Sequence, residues 1–193
     1  MGLDYRGLIH QVDSMIRSNV LRSLGDLESS MEGIIELITE TLNVEKPRLI
    51  VTINNVNECS RFDSGTCSTV LGLYAASESV ILVNYKADLS TLLHLLSHHL
   101  QALENGKARY IQIKETEETR LPWEARPLEA NAVIRTVYLA RSLPPRVFKV
   151  WNEEVKPMVK EVEEGVNRVK ALVNHLTRSI ELSTLSGSDL RRI

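Results

Sequence analysis

Asp88-Leu89-Ser90-Thr91-Leu92-Leu93-His94-Leu95-Leu96-Ser97-His98-His99-Leu100-Gln101-Ala102-Leu103-Glu104-Asn105-Gly106 is bounded like a single helix. Asp88 or Ser90 can accept from the first free amides, and Asn105-Gly106 offers the left-handed residue on which helices end. At about 100° per residue, Leu89, Leu92, Leu96, Leu100 and Leu103 form one stripe. His94 and His98 lie nearly opposite it. A leucine face fixes the helix to a core while two imidazoles point away together. That is half of a divalent-metal site, because neighbours at i and i+4 can reach one ion.

The elements around this helix extend the pattern. Upstream, Ser79-Val80-Ile81-Leu82-Val83-Asn84-Tyr85 reads as a strand. Downstream, after a polar connection, Pro127 is placed to open a second helix whose apolar positions are Ala130, Val133, Ile134, Val137 and Tyr138. Glu129 lies in its first turn, where the helix dipole favours an acid.

His94-Leu95-Leu96-Ser97-His98 is four-fifths of the H-E-x-x-H signature of zincin metallopeptidases, and Glu129-Ala130-Asn131-Ala132 resembles the E-x-x-A pattern in which the gluzincin type carries its third ligand. Strand, histidine helix and glutamate helix come in family order over residues 48 to 143. The resemblance is closest to small SprT-like and ImmA/IrrE-type domains. It implies an α+β, zincin-like fold: a small mixed sheet packed on the His94 helix, the Ser79–Tyr85 strand at its edge beside the metal, and long helices at both termini. It also implies zinc, held by His94, His98 and Glu129. Glu124 is the runner-up ligand, and His99 and Glu124 are expected beside the ligands rather than among them. The family's general base falls on Leu95, and a leucine cannot accept a proton. Glu124 and Glu115 are the carboxylates considered as replacements.

The rest of the chain bounds the alternatives. Its 193 residues are 43% hydrophobic and 25% charged, which predicts a globular core. A net charge of −2 leaves no electrostatic footprint for nucleic acid or an anionic membrane. No apolar run approaches the roughly 18 residues of a membrane span. Met1-Gly2-Leu3-Asp4-Tyr5-Arg6 lacks the basic-then-apolar order of a signal peptide, so the expected location is the cytoplasm. For Cys59 and Cys67, in a polar, loop-like stretch from Glu58 to Cys67, free thiols are the expected reading in a reducing cytosol and a disulfide closing a small loop is the alternative.

Residues 5 to 43 carry apolar residues at helical steps from Ile9 to Leu42, and Gly25-Asp26 predicts a break into two helices. Strands are expected at 48–53, 70–75, 79–84 and, shorter, at Tyr110–Ile113. Beyond Pro144-Pro145 the chain is expected to be helical to about Ser183, with Pro157 marking a start or kink. Val155, Val159, Val162, Val166, Val169, Val173, Leu176 and Ile180 form a heptad seam that needs a partner. The N-terminal helix is the nearest candidate, and a second copy of the chain, giving a homo-oligomer, is the other. Residues 186–193 are expected to fray. The expected segments are 1–46 (helical), 47–143 (zincin-like) and 144–193 (long helix), in one compact domain. Trp123 is read as a core residue, and Arg126 and Arg135 as solvated.

Three functions follow as expectations. The first is a catalytically silent zincin-like module that holds a peptide or protein partner, with or without a metal. The second is a zinc metallopeptidase with a displaced base. The third is a helical structural or interaction protein without a metal.

Overall fold

A computed structural model describes residues 5–59 and 67–189; within the terminal helices, the side chains of residues 5–13, 15, 16, 176, 177 and 179–189 lie outside the description. The chain divides into two compact units, Leu24–Val159 and a second formed by Met1–Ser23 with Lys160–Ile193. The expected boundaries at 46/47 and 143/144 both fall inside the first unit. No described helix is long and apolar enough to cross a membrane.

The Leu24–Val159 unit is α+β. Five strands, β1 (Arg48–Thr52), β2 (Val56–Cys59), β3 (Cys67–Val70), β4 (Gly72–Ala75) and β5 (Val80–Asn84), precede the helices α2 (Leu89–Asn105), α3 (Lys107–Arg120) and α4 (Pro127–Ser142). β1, β5 and β4 form one mixed sheet in that order. β5 pairs in parallel with β1 (Leu49 opposite Ile81) and antiparallel with β4 (Leu73 opposite Leu82). The Ser79–Tyr85 strand is therefore central rather than an edge. Ile81 and Val83 are fully buried, as befits a strand with neighbours on both sides. The edge is β4.

The residues read as a loop around the cysteines are strand at both ends. β2 and β3 form an antiparallel ribbon in which Cys59 stands directly opposite Cys67. The two are joined by a disulfide, not left as free thiols. Each strand is only four residues, too little apolar alternation to announce itself. The ribbon's tip, residues 60–66, lies outside the described residues.

α2 carries nine buried residues. Asp88 is its cap, accepting from the Thr91 amide at 2.7 Å. Gly106, at φ 79°, ends it and lets α3 start at once. Tyr110–Ile113 is thus the first half of a helix rather than a strand. Lysine, arginine, glutamate and alanine supply helix propensity, and the fully buried Tyr110 with Glu117, seven residues on, marks the inward face. α4 begins at Pro127 as expected, but its buried side is Glu129, Ala132 and Leu139. Val133, Ile134, Val137 and Tyr138, four of its apolar positions, are about half exposed or more.

α1 (Tyr5–Leu42) is unbroken, so Gly25-Asp26 does not split it. An isolated helical glycine costs only about 1 kcal/mol, and here Leu27, Met31, Ile34 and Ile35 are buried within the next ten residues. Pro157 follows a widened, π-type turn at Trp151–Val155 that links α5 (Pro145–Val150) to α6 (Lys156–Asp189). Proline has no amide to donate, so the helix adjusts its hydrogen bonding just ahead of it. α6 runs past Ser183 and includes Ser186–Asp189; the rest of the expected frayed tail, residues 190–193, lies outside the described residues.

In the unit formed by the two termini, the N-terminal helix is the partner of the seam. Val162 and Val166 are buried, and a Cβ added at Gly165 would come within 2.8 Å of Val20. Ser23 donates to Glu161 at 2.7 Å. Farther along, Val173 is 46% exposed, so the heptad is not buried throughout. The side chains of Ile9, Val12, Ile16, Leu176 and Ile180 lie outside the described residues.

Candidate metal centre

α2 and α4 pack against each other and bring together the three residues singled out in the sequence. His94 Nε2 and His98 Nε2 lie 3.2 Å apart. Glu129 Oε2 is 3.2 Å from His94 Nε2 and 3.3 Å from His98 Nε2. Among the described residues this is the one group of three or more such side chains whose ligand atoms converge in this way. The triangle is nearly equilateral. Four donors arranged tetrahedrally at about 2.0–2.1 Å from one ion are about 3.3 Å apart. The three side chains are therefore already spaced for a small divalent ion.

Burial makes this convergence informative. His98 is only 6% exposed and Glu129 9%, whereas His94 opens to the cleft. Burial alone would raise the carboxyl of Glu129; against it, His94 and His98, when their Nε2 atoms carry protons, donate to it and hold the group well below the usual carboxylate range. The third edge, nitrogen to nitrogen, has no such logic. Two imidazoles facing each other across 3.2 Å share one carboxylate oxygen, and no arrangement of protons makes all three contacts good hydrogen bonds. A cation satisfies all three.

The triad floors a cleft of about 500 Å³. One wall is β4, through Gly72 and Tyr74, with Leu71 just ahead of it. The other is α4, through Val133 and Val137, with Trp123 nearby. Trp123 is 47% exposed, a wall residue and not a core plug. Asn84 donates across the β4–β5 pair to the Leu71 carbonyl, so by antiparallel alternation Gly72 and Tyr74 turn their amides and carbonyls outward. The cleft thus has an unpaired strand edge along one side and apolar side chains along the other.

Leu95 lies between the triad and that edge. It is 4% exposed, and a Cβ on Gly72 would sit 2.6 Å from its Cδ1. The position to which the resemblance assigns a general base is filled by packing. Of the carboxylates considered as replacements, Glu115 does not line the cleft, and Glu124 is exposed on the short 3₁₀ turn Trp123–Ala125, facing an adjoining hollow. Glu58, from β2, does line the cleft, and no described residue pairs with its carboxylate. It sits inside the stretch that was read as a loop, and only the ribbon pairing brings it here.

His99 is not beside the ligands. It is fully buried on another side of α2, hydrogen-bonded to the Glu45 carbonyl at 2.7 Å and to the Tyr74 hydroxyl at 3.0 Å. The arginines expected in solvent are also placed. Arg126 is buried, its Nε donating to the Leu121 carbonyl, and Arg135 forms a two-pronged ion pair with Glu104. Comparison with protein families, curated proteins and solved structures finds no match for this chain.

Proposed function

We propose that the chain is a zincin-like, catalytically silent binding protein that holds zinc through His94, His98 and Glu129 and accepts an extended peptide in the adjoining cleft. The observation that carries this reading is the near-equilateral 3.2–3.3 Å triangle of ligand atoms at the floor of an open cleft. Two nitrogens and one carboxylate oxygen, with the fourth direction towards the cleft, suit zinc. When bound, the ion supplies a Lewis acid for a carbonyl or carboxylate group of the ligand.

The other roles belong to the chain's own residues. Gly72 and Tyr74 offer backbone donors and acceptors to which a strand can add, and Val133, Val137 and Trp123 receive its apolar side chains. Leu95 withholds proton transfer. A positioned acid/base contributes about 10²–10⁴ in rate, so its replacement by leucine favours retention of the ligand over its hydrolysis. The test has two arms. Dialysed protein should retain one equivalent of zinc, and Glu129→Gln should lose it. Zinc-loaded protein should bind members of an apolar peptide library and return them uncut. A wild type that takes up no zinc overturns the metal, and one that binds no library member overturns the peptide.

A second reading, an active metallopeptidase, is favoured by one observation: the carboxylate of Glu58 in the cleft wall, with which no described residue pairs. It requires chelator-sensitive hydrolysis by the unmodified protein that disappears in Glu58→Gln.

A further inference from the structure

His98 is held from behind by a directed chain of hydrogen bonds. Arg135 Nε donates to Asn131 Oδ1 at 2.7 Å. Gln101 Nε2 donates to the same oxygen at 3.0 Å and to the Leu128 carbonyl at 2.8 Å. Gln101 Oε1 then faces His98 Nδ1 at 2.9 Å. Each orientation is forced by the one before. A guanidinium only donates, so the atom of Asn131 facing Arg135 is its oxygen. That oxygen only accepts, so Gln101 presents its amide nitrogen there, and its own oxygen is left for His98. An amide oxygen only accepts, so Nδ1 of His98 carries a proton.

From this polarity we infer that Arg135, Asn131 and Gln101 are positioning residues that fix His98 as the Nδ1–H tautomer and thereby turn an electron pair on Nε2 towards His94 and Glu129. A neutral imidazole has one proton to place, and placing it at the back makes the front a ligand. A lone pair then faces a carboxylate oxygen at 3.3 Å, a repulsive contact that a cation converts into an attractive one. The bidentate Glu104–Arg135 pair, at 2.6 and 2.5 Å, anchors the start of the chain outside the triad.

Tyr110 supplies the competing arrangement. Its hydroxyl is 3.1 Å from the same Nδ1 and can either donate or accept. A phenol keeps its proton near pH 8. With Gln101 in place, Tyr110 can only accept from Nδ1–H. Without Gln101, it can donate to a bare Nδ1 and drive the proton to Nε2, where it would block the ion.

The tautomer is measurable without metal, from the 15N shifts of the imidazole nitrogens of His98 in zinc-free protein near pH 8. Wild type should show protonated Nδ1 and unprotonated Nε2. Gln101→Leu should exchange them and weaken zinc binding about 10- to 100-fold, the usual cost of losing a partner behind a ligating histidine. Gln101→Leu/Tyr110→Phe should remove the preference for the exchanged form. Should Gln101→Leu fail to fold, Gln101→Met, of similar length but without an amide, should show the same exchange. Arg135→Met removes one of the two restraints on the amides, the Leu128 carbonyl being the other, and should add a minor share of the Nε2–H tautomer, with Arg135→Lys restoring wild-type signals. A wild type with Nε2–H, or a folded Gln101 variant identical to wild type, overturns the inference. The zinc effect rests on the proposed metal reading, but the tautomer does not: Nδ1–H in a protein that takes no zinc would discard the metal and keep the positioning chain.

Discussion

Three histidines on one helix meet two different fates. His99 is surrounded by complementary partners: the Glu45 carbonyl accepts from Nε2–H, and the Tyr74 hydroxyl donates to Nδ1. Burial lowers its pKa and keeps it neutral. His94 and His98 meet each other and one carboxylate, with two nitrogens competing for one oxygen. Burial alone does not distinguish the groups, since His98 is nearly as inaccessible as His99. Partner complementarity does. A histidine whose two nitrogens are both matched is structural, and one whose nitrogen faces a rival is a ligand in waiting.

The comparison breaks most decisively at the ligands. His98→Ala is expected to abolish stoichiometric zinc uptake, read by metal analysis after dialysis, while circular dichroism stays that of a folded protein. His99→Ala should do the reverse. It strands the Tyr74 hydroxyl and the Glu45 carbonyl, each at about 1–3 kcal/mol, so the melting temperature should fall steeply while the remaining folded protein still binds zinc. Equal zinc loss in the two variants would mean that all three histidines serve one site.

Leu95→Glu sharpens the same contrast by altering the third side of the helix. Leu95 is buried against Gly72, and not off the core as the leucine stripe suggested. The variant should therefore lose stability in zinc-free protein, by about 2 kcal/mol or more for an unpaired buried carboxylate, and recover part of it with zinc present. Denaturant melts with and without the metal report both. Zinc-dependent peptide cleavage by this variant, absent from wild type, would show that only the base is missing.

Gly72→Ala is a smaller perturbation from the opposite wall. Its Cβ would lie 2.8 Å from the Leu82 carbonyl oxygen as well as against Leu95, and the backbone oxygen cannot rotate away. A loss of about 1–3 kcal/mol is expected. Adding Leu95→Ala should not fully restore stability.

The smallest effect concerns Glu117. Burial raises its pKa despite the hydrogen bond it accepts from the Leu128 amide. A folded-state pKa above the unfolded one means that the contribution to stability is full below the unfolded value and lost as pH rises through the folded one. Glu117→Gln should therefore raise the melting temperature slightly at pH 7 and leave it unchanged at pH 4. An equal change at both pH values would locate its role in the amide contact alone.

The sequence disclosed the site better than its setting. His94, His98 and Glu129 were legible because helical periodicity converts spacing into direction, and Pro127 and Asp88 mark where the helices begin. The cleft wall was not. β2 and β3 are too short to show a period, so Glu58 and the Cys59–Cys67 link read as a loop. Tyr110 was misread because a short apolar run suits a strand or a helix equally, and the buried turn against His98 settles it as helix. The role of the apolar face of α4 was left open for a related reason. Val133 and Val137 are apolar because they line a cleft, and hydrophobic pattern alone does not separate a cleft from a core. The Gln101 chain carries no sequence signal, since its members lie up to 37 residues apart (98 to 135) and depend on amide orientation.

The outer side of β1 holds a last consequence. There the Val51 amide is taken by the Glu28 carboxylate at 2.7 Å. A sheet open at both borders can be a link in an endless ribbon, each molecule offering one side and receiving on the other. With the Val51 amide taken, the β1 border is the poorer template, so a joining strand is directed to β4 and growth by stacking copies side to side is discouraged.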